Sequence, residues 1–141
     1  MENEQINGYS QMGFTTAVKS CFSKYATFTG RARRSEYWFF VLFNILVEIV
    51  VYIPGVLLVL TLSRPQMYIG FGLLALMGIF ALAVIIPGLA VIVRRLHDTG
   101  RSGWWYFISL VPFVGGIILL VFLCTDSQPG ENKWGPNPKG E

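Results

Sequence analysis

The chain has 141 residues, 53% hydrophobic and only 13% charged, about half the charged share of an ordinary globular protein. A soluble domain this small has proportionally more surface to cover, and so few charges cannot cover it. The composition excludes a soluble enzyme, a disordered chain and a secreted disulfide scaffold. It leaves a small, all-α integral membrane protein.

The charges are also segregated. From Tyr37 to Val93 only Glu48 and Arg64 are charged, and from Trp104 to Leu123 nothing is. Residues Met1 to Met12 are polar and carry Glu2 and Glu4, without the basic and apolar regions of a cleavable signal, so none is expected. Further on, Phe14, Val18, Cys21, Phe22 and Tyr25 fall on one helical face. Residues 13–25 therefore read as an amphipathic helix, lying in the membrane interface or packed on the protein itself.

The stretch FTGRARRSEYW follows, Phe28 to Trp38. Guanidinium groups bind phosphate in a forked geometry, and each basic residue beside an anionic leaflet contributes about 1 kcal/mol. Arg31 and Arg34 could therefore hold lipid headgroups, or they could serve only to set topology. Glu36 lies three residues beyond Arg33 and could pair with it.

A spanning helix needs about 20 apolar residues. Three segments qualify: Tyr37–Leu62, Tyr68–Val93 and Trp104–Leu123. Pro54-Gly55 and Pro87-Gly88 mark expected kinks in the first two, and Pro112 with Gly115-Gly116 interrupts the third. Inside the first span Asn44, Glu48 and Tyr52 are spaced by four and form a polar stripe. An intramembrane carboxyl is costly unless protonated, paired or hydrated, and so points to function. The alternative is a neutral Glu48 acting as packing glue.

Between the second and third spans stands RRLHDTGRSGWW, Arg94 to Trp105. If the helix runs on to Asp98, then Arg94, His97 and Asp98 share a face, and Asp98 can pair with Arg94 or Arg95. Gly100 suits a helix stop and Ser102 a cap. A tight turn explains this motif completely, yet a turn alone requires neither His97 nor three arginines. Trp38 and Trp104 flank the spans as interfacial anchors. The tail, residues 124–141, is rich in Pro, Gly and Asn and reads as successive turns. Its Trp134 suggests a segment that docks back onto the membrane or the bundle.

Eight basic residues precede the first span or separate the second from the third, against three elsewhere. The positive-inside rule then expects a cytoplasmic N-terminal segment (1–36), a three-helix transmembrane domain (37–123) and an external tail. Cys21 and Cys124 fall on opposite sides of that arrangement, so two free thiols are expected.

The strings FTGRARRSEYW and RRLHDTGRSGWW, a further span, and PGENKWGPNP resemble the DUF805 family of small bacterial inner-membrane proteins, from about Phe28 to Pro138. The resemblance implies a multi-spanning protein of the bacterial inner membrane with no established biochemical activity. It singles out Phe28, Gly30, Arg31, Arg34, Glu36, Tyr37, Trp38, Arg94, Arg95, Leu96, His97, Asp98, Gly103 and Trp104, with Gly130, Asn132, Gly135 and Pro138 in the tail.

The expected function is a non-enzymatic inner-membrane accessory protein of envelope maintenance. It would bind anionic lipid headgroups or a membrane partner through Arg31, Arg34, Glu36, Trp38, Arg94, Arg95, His97, Asp98 and Trp104. The alternative is an oligomeric transporter or channel component using Glu48, with Asn44 and Tyr52. One histidine and two separated cysteines make no zinc site, no motif calls for a cofactor, and a nucleic-acid partner is not expected. An enzyme acting on headgroups through His97 and Asp98 would lack a second acid or metal.

Overall fold

The computed structural model describes residues 12–61 and 64–140. The first eleven residues, residues 62–63 and Glu141, all covered by sequence expectations, lie outside the described residues. Five α-helices carry the architecture: α1 (Phe14–Ser23), α2 (Arg34–Val47), α3 (Ile53–Thr61), α4 (Arg64–Asp98) and α5 (Gly115–Cys124). Between α2 and α3 the chain makes one π-helical stretch, Glu48–Tyr52, and Gly103–Leu110 is a 3-10 helix. Among the described residues the only β pairing is an isolated bridge between Asn132 and Gly135.

The apolar face of α1 is spent on the protein itself. Ala17 and Cys21, four residues apart, are fully buried. Edge-to-face contacts of Phe14 with Phe39 and Phe22 with Phe40, at 5.9 and 5.6 Å, fasten α1 to α2. Phe14, Phe22 and Tyr25 each stay 37% exposed along the edge of that contact.

Among the described residues two helical stretches are long and apolar enough to cross a membrane, Arg34–Leu60 and Arg64–Asp98. Their prolines are accommodated in different ways. Pro54 has no N–H and its ring crowds the carbonyl four residues back. The chain widens there into the π-helical stretch, and the Ile53 N–H reaches Glu48 O instead. At Pro87 helix α4 continues unbroken, which leaves the Ala83 carbonyl without its helical donor. The Tyr25 hydroxyl supplies that donor from the turn after α1.

This arrangement makes a specific prediction. Tyr25→Phe strands the Ala83 carbonyl and is expected to cost about 1–3 kcal/mol. In a Pro87→Ala background the N–H returns, and the same change should cost no more than about 0.5 kcal/mol. Denaturant unfolding of the four proteins measures the coupling. Equal costs in both backgrounds would contradict this role for Tyr25.

The third apolar segment departs from expectation. Residues 104–123 are not one helix. The 3-10 helix Gly103–Leu110 leads into a turn at 111–114, and α5 returns. With eight residues at about 2.0 Å each and ten at about 1.5 Å, either arm is roughly 15 Å long. That is about half of the 30 Å hydrocarbon layer. Both ends of the segment meet the end of α4: Arg95, in its last turn, hydrogen-bonds the carbonyls of Leu123 and Thr125. The expected third spanning helix is therefore a helical hairpin, and the tail, expected on the opposite side, sits at the same end as Arg31 and Arg95. The physical cause is local. Pro112 cannot continue a helix, and Gly115 passes so close to the first arm that a Cβ there would lie 1.9 Å from the Ile108 carbonyl oxygen.

Helix α4 ends at Asp98 as its sequence suggests. Gly100 adopts φ +77°, its N–H bonds His97 O, and the Arg101 N–H bonds Leu96 O at 2.9 Å. Together these form a Schellman-type closure. Ser102 then caps the 3-10 helix by accepting from the Trp104 N–H.

Candidate functional site

The last turn of α4 delivers Arg94, Arg95, His97 and Asp98 to one place, and all four are buried. The loop before α2 brings Arg31, and the first turn of α2 brings Glu36, which is 2% exposed. Burying these charges is tolerable only if they are paired and hydrogen-bonded.

Arg31 shows how completely that is done. Its Nε donates to Asp98 Oδ1 at 3.0 Å. Its Nη1 donates to the carbonyls of Gly130 (2.7 Å) and Gly135 (3.3 Å). Its Nη2 donates to those of Gln128 (2.6 Å) and Asp98 (3.3 Å). Arg95 is held in the same way by Asp98 Oδ2, Ala32 O at 3.3 Å, Leu123 O at 3.1 Å and Thr125 O. The Ser127 hydroxyl donates to Asp98 Oδ2 at 2.6 Å. Asp98 is thus shared by two guanidinium groups and a tail hydroxyl.

Arg94 reaches back to Glu36 at 2.6 Å, and Ser20 of α1 donates to the same carboxylate oxygen at 3.1 Å. Asp98 takes Arg95, one of the two partners its spacing offers, and Arg31 besides, while Glu36 takes Arg94. The cluster holds three buried guanidiniums against two buried carboxylates, and carbonyls of the tail take up much of the surplus donor capacity. Cys21 abuts this cluster, and burial, reinforced by Glu36, pushes its thiol up to about 12. Both cysteines are free, Cys21 buried and Cys124 exposed. They do not, however, lie on opposite sides, because Arg34 beside the cluster hydrogen-bonds the Cys124 carbonyl.

His97 is held separately. Its Nδ1 lies 3.2 Å from the Gly30 carbonyl oxygen, and Trp134 stacks on its ring with centroids 4.5 Å apart and planes 10° apart. Asn132 donates to the His97 carbonyl at 3.0 Å. On its open side the ring lines an apolar crevice of about 560 Å³, walled by Phe28, Leu89, Val93, Trp104 and Phe107, with Ser102 beside it.

Of the sequence-predicted residues, Arg31, Glu36, Arg94, Arg95, His97 and Asp98 therefore gather in one cluster. Arg34 stands at its edge, 3.8 Å from Asp126. Lys139 donates to Asp126 and holds its carboxyl below the usual carboxylate range. Trp38 packs on Tyr37, and Trp104, 78% exposed, lines the crevice. Asn44, Glu48 and Tyr52 lie apart, on grooves between the first apolar helix and α4.

Ser127, Gln128, Gly130, Asn132 and Trp134 of the tail complete the cluster; the sequence marks Gly130, Asn132 and Trp134 but expects them on the opposite face, and it does not mark Ser127 or Gln128. The signal for the tail's return was present, since Pro112 with Gly115-Gly116 divides the third apolar segment into halves too short to cross.

A family model described as "Protein of unknown function (DUF805)" matches residues 25–136. Inner membrane protein YhaI of Escherichia coli (strain K12) is 41% identical over 120 residues, covering 85% of this chain and 92% of that protein. Inner membrane protein YhaH of the same organism is 44% identical over 117 residues, covering 83% and 91%. No solved structure matches. The match takes in both arginine motifs and nearly the whole tail that closes over them, so this chain is an inner membrane protein belonging to the DUF805 family.

Proposed function

We propose that this is a non-enzymatic accessory protein of the inner membrane that engages anionic lipid headgroups at its cytoplasmic face. The two apolar helices span, and the hairpin dips into the cytoplasmic leaflet and returns. The observation that carries this reading is the distribution of basic residues once the hairpin is folded back. Ten of the eleven then lie toward the end where α4 finishes, and Arg64 alone begins α4 at the other. Such asymmetry favours a cytoplasmic position for that end.

Arg31 and Arg95 are engaged on all three nitrogens. Arg94 is held by Glu36 through Nη1, with its Nε and Nη2 buried and unpartnered, and the three act as the scaffold of this face. Contact with lipid phosphate falls to exposed side chains, among them Lys19, Lys24, Arg34 and Lys133. Replacing Lys19 and Lys24 together by alanine should lower the anionic lipid retained through purification several-fold, at about 1 kcal/mol for each charge. Lipid analysis of the purified proteins measures this, and unchanged retention would remove the reading.

A second reading rests on Glu48, which is exposed on its helix and lines a groove of about 510 Å³ with Tyr52, Met77 and Gly78. Next to it the Asn44 amide donates to Phe40 O at 2.7 Å while its Oδ1 is buried without a partner. Polar groups so placed suit an oligomeric transporter or channel component. There Glu48→Gln should change proton or ion flux in vesicles, and an unaltered flux would exclude this role.

A further inference from the structure

We infer that the crevice beside His97 is a binding site for one phospholipid with an anionic, hydroxyl-bearing headgroup, of the phosphatidylglycerol class. The inference deepens the lipid reading above and rests on it. The crevice has the size of a small-molecule site, about 560 Å³. Its walls, Phe28, Leu89, Val93 and Phe107, are apolar and suit an acyl chain. Trp104, 78% exposed at its side, is the kind of residue that sits at headgroup level.

The polar end is built rather than incidental. His97 is only 8% exposed, and Trp134, the Gly30 carbonyl and the Asn132 contact fix its position. A carbonyl can only accept, so the ring carries a proton on Nδ1. Nε2 remains as its uncommitted nitrogen, on a ring that lines the crevice. That nitrogen accepts in the neutral ring and donates in the charged one. Ser102 lines the same crevice, and its hydroxyl, which accepts from the Trp104 N–H, can still donate. A headgroup with a hydroxyl and a phosphate matches either state of the ring.

Charge decides between headgroups. The Lys133 ammonium stands over the Trp134 ring, 4.2 Å from its centroid, and that ring stacks on His97, whereas the Arg101 guanidinium is turned onto Phe122. Asp98, the nearest carboxylate in sequence, is already shared by Arg31 and Arg95. A cation behind His97, with the Asp98 carboxylate already spent, disfavours the ammonium of phosphatidylethanolamine and favours an anionic lipid.

Native mass spectrometry of the full chain tests the site, using nanodiscs of phosphatidylcholine with equal parts phosphatidylglycerol and phosphatidylethanolamine. The wild type should keep one phosphatidylglycerol after the bulk lipid is stripped. Leu89→Trp, which fills the crevice, should reduce its occupancy about tenfold, or roughly 1.4 kcal/mol. Phe28→Ala, which removes an exposed wall, should also lower it, and it stands in if Leu89→Trp does not fold. Lys19→Ala with Lys24→Ala should leave this one lipid in place while reducing the looser anionic shell. If both crevice variants keep the lipid while the lysine variant loses it, the crevice is overturned and the wider lipid reading stands. Selective retention of phosphatidylethanolamine would overturn the headgroup assignment. A wild type with no preference for anionic lipid would end both.

Discussion

Replacing Asp98 with alanine should destabilise the protein by about 3–5 kcal/mol, the cost of stripping a buried ion pair of one partner. Both side chains that depend on it are buried: Arg31 is 7% exposed and Arg95 fully enclosed. Losing the carboxylate leaves two guanidinium groups facing one another with only carbonyls to hold them. It also frees Ser127, which donates to Asp98 Oδ2, and so loosens the tail. Asp98→Asn keeps the shape and an acceptor and should fall between the two. Asp126 is the internal control. Its side chain is 58% exposed, and exposed pairs contribute about 0–1 kcal/mol, so Asp126→Ala should be nearly silent. Denaturant titration of the detergent-solubilised variants decides the matter. Similar stabilities for the two alanine variants would show that the buried cluster is not what holds the tail.

The second large effect is steric. At Gly115 a Cβ would lie 1.9 Å from the Ile108 carbonyl oxygen, 2.9 Å from its carbon and 3.1 Å from the Val111 Cβ. Backbone cannot retreat from such an overlap while the hairpin stays closed. Gly115→Val should reach the upper end of the roughly 1–3 kcal/mol seen for overpacking, or exceed it. The neighbouring Gly116 has nothing within 4 Å of the same position. Gly116→Val should therefore be tolerated, with a cost or gain below about 0.5 kcal/mol. The contrast isolates the hairpin from any general effect of valine in α5. Because the hairpin delivers residues 125–135 to the cluster, Gly115→Val should also expose Trp134, seen as a red-shifted tryptophan emission.

Helix α4 shows how much the sequence conveys by itself. The stop at Gly100 and the cap at Ser102 follow from cap chemistry, while the helix itself, Arg64–Asp98, runs beyond both ends of the Tyr68–Val93 segment that hydropathy marks. The sharing of one place by Arg94, His97 and Asp98 follows as well, because spacing of three and four is a property of any helix. The ion-pair partners were less legible. Glu36 had Arg33 three residues away, yet it takes Arg94, 58 residues distant. Local spacing counts neighbours along one helix, whereas burial selects whichever charge the packed helices bring close.

The hairpin was misread for a related reason. A hydropathy window sums twenty apolar residues as readily over two half-length arms as over one span. Only the breakers at Pro112 and Gly115 tell the cases apart, and prolines in Tyr37–Leu62 and Tyr68–Val93 were accommodated without reversal. Tail composition likewise gave turns but not what they close upon. The Arg31 and Arg95 partners there are main-chain carbonyls, which every residue carries.

The account turns on the return of residues 103–124 to the end they left. With Cys21 and Cys124 replaced by serine, single cysteines at two exposed positions, Lys24→Cys and Glu131→Cys, can be probed with a membrane-impermeant maleimide. The folded-back hairpin predicts that both react in inside-out vesicles and neither in intact spheroplasts. Labelling of Glu131→Cys from outside the spheroplast, with Lys24→Cys protected, would mean that the segment crosses the membrane and that the tail cannot close the arginine cluster.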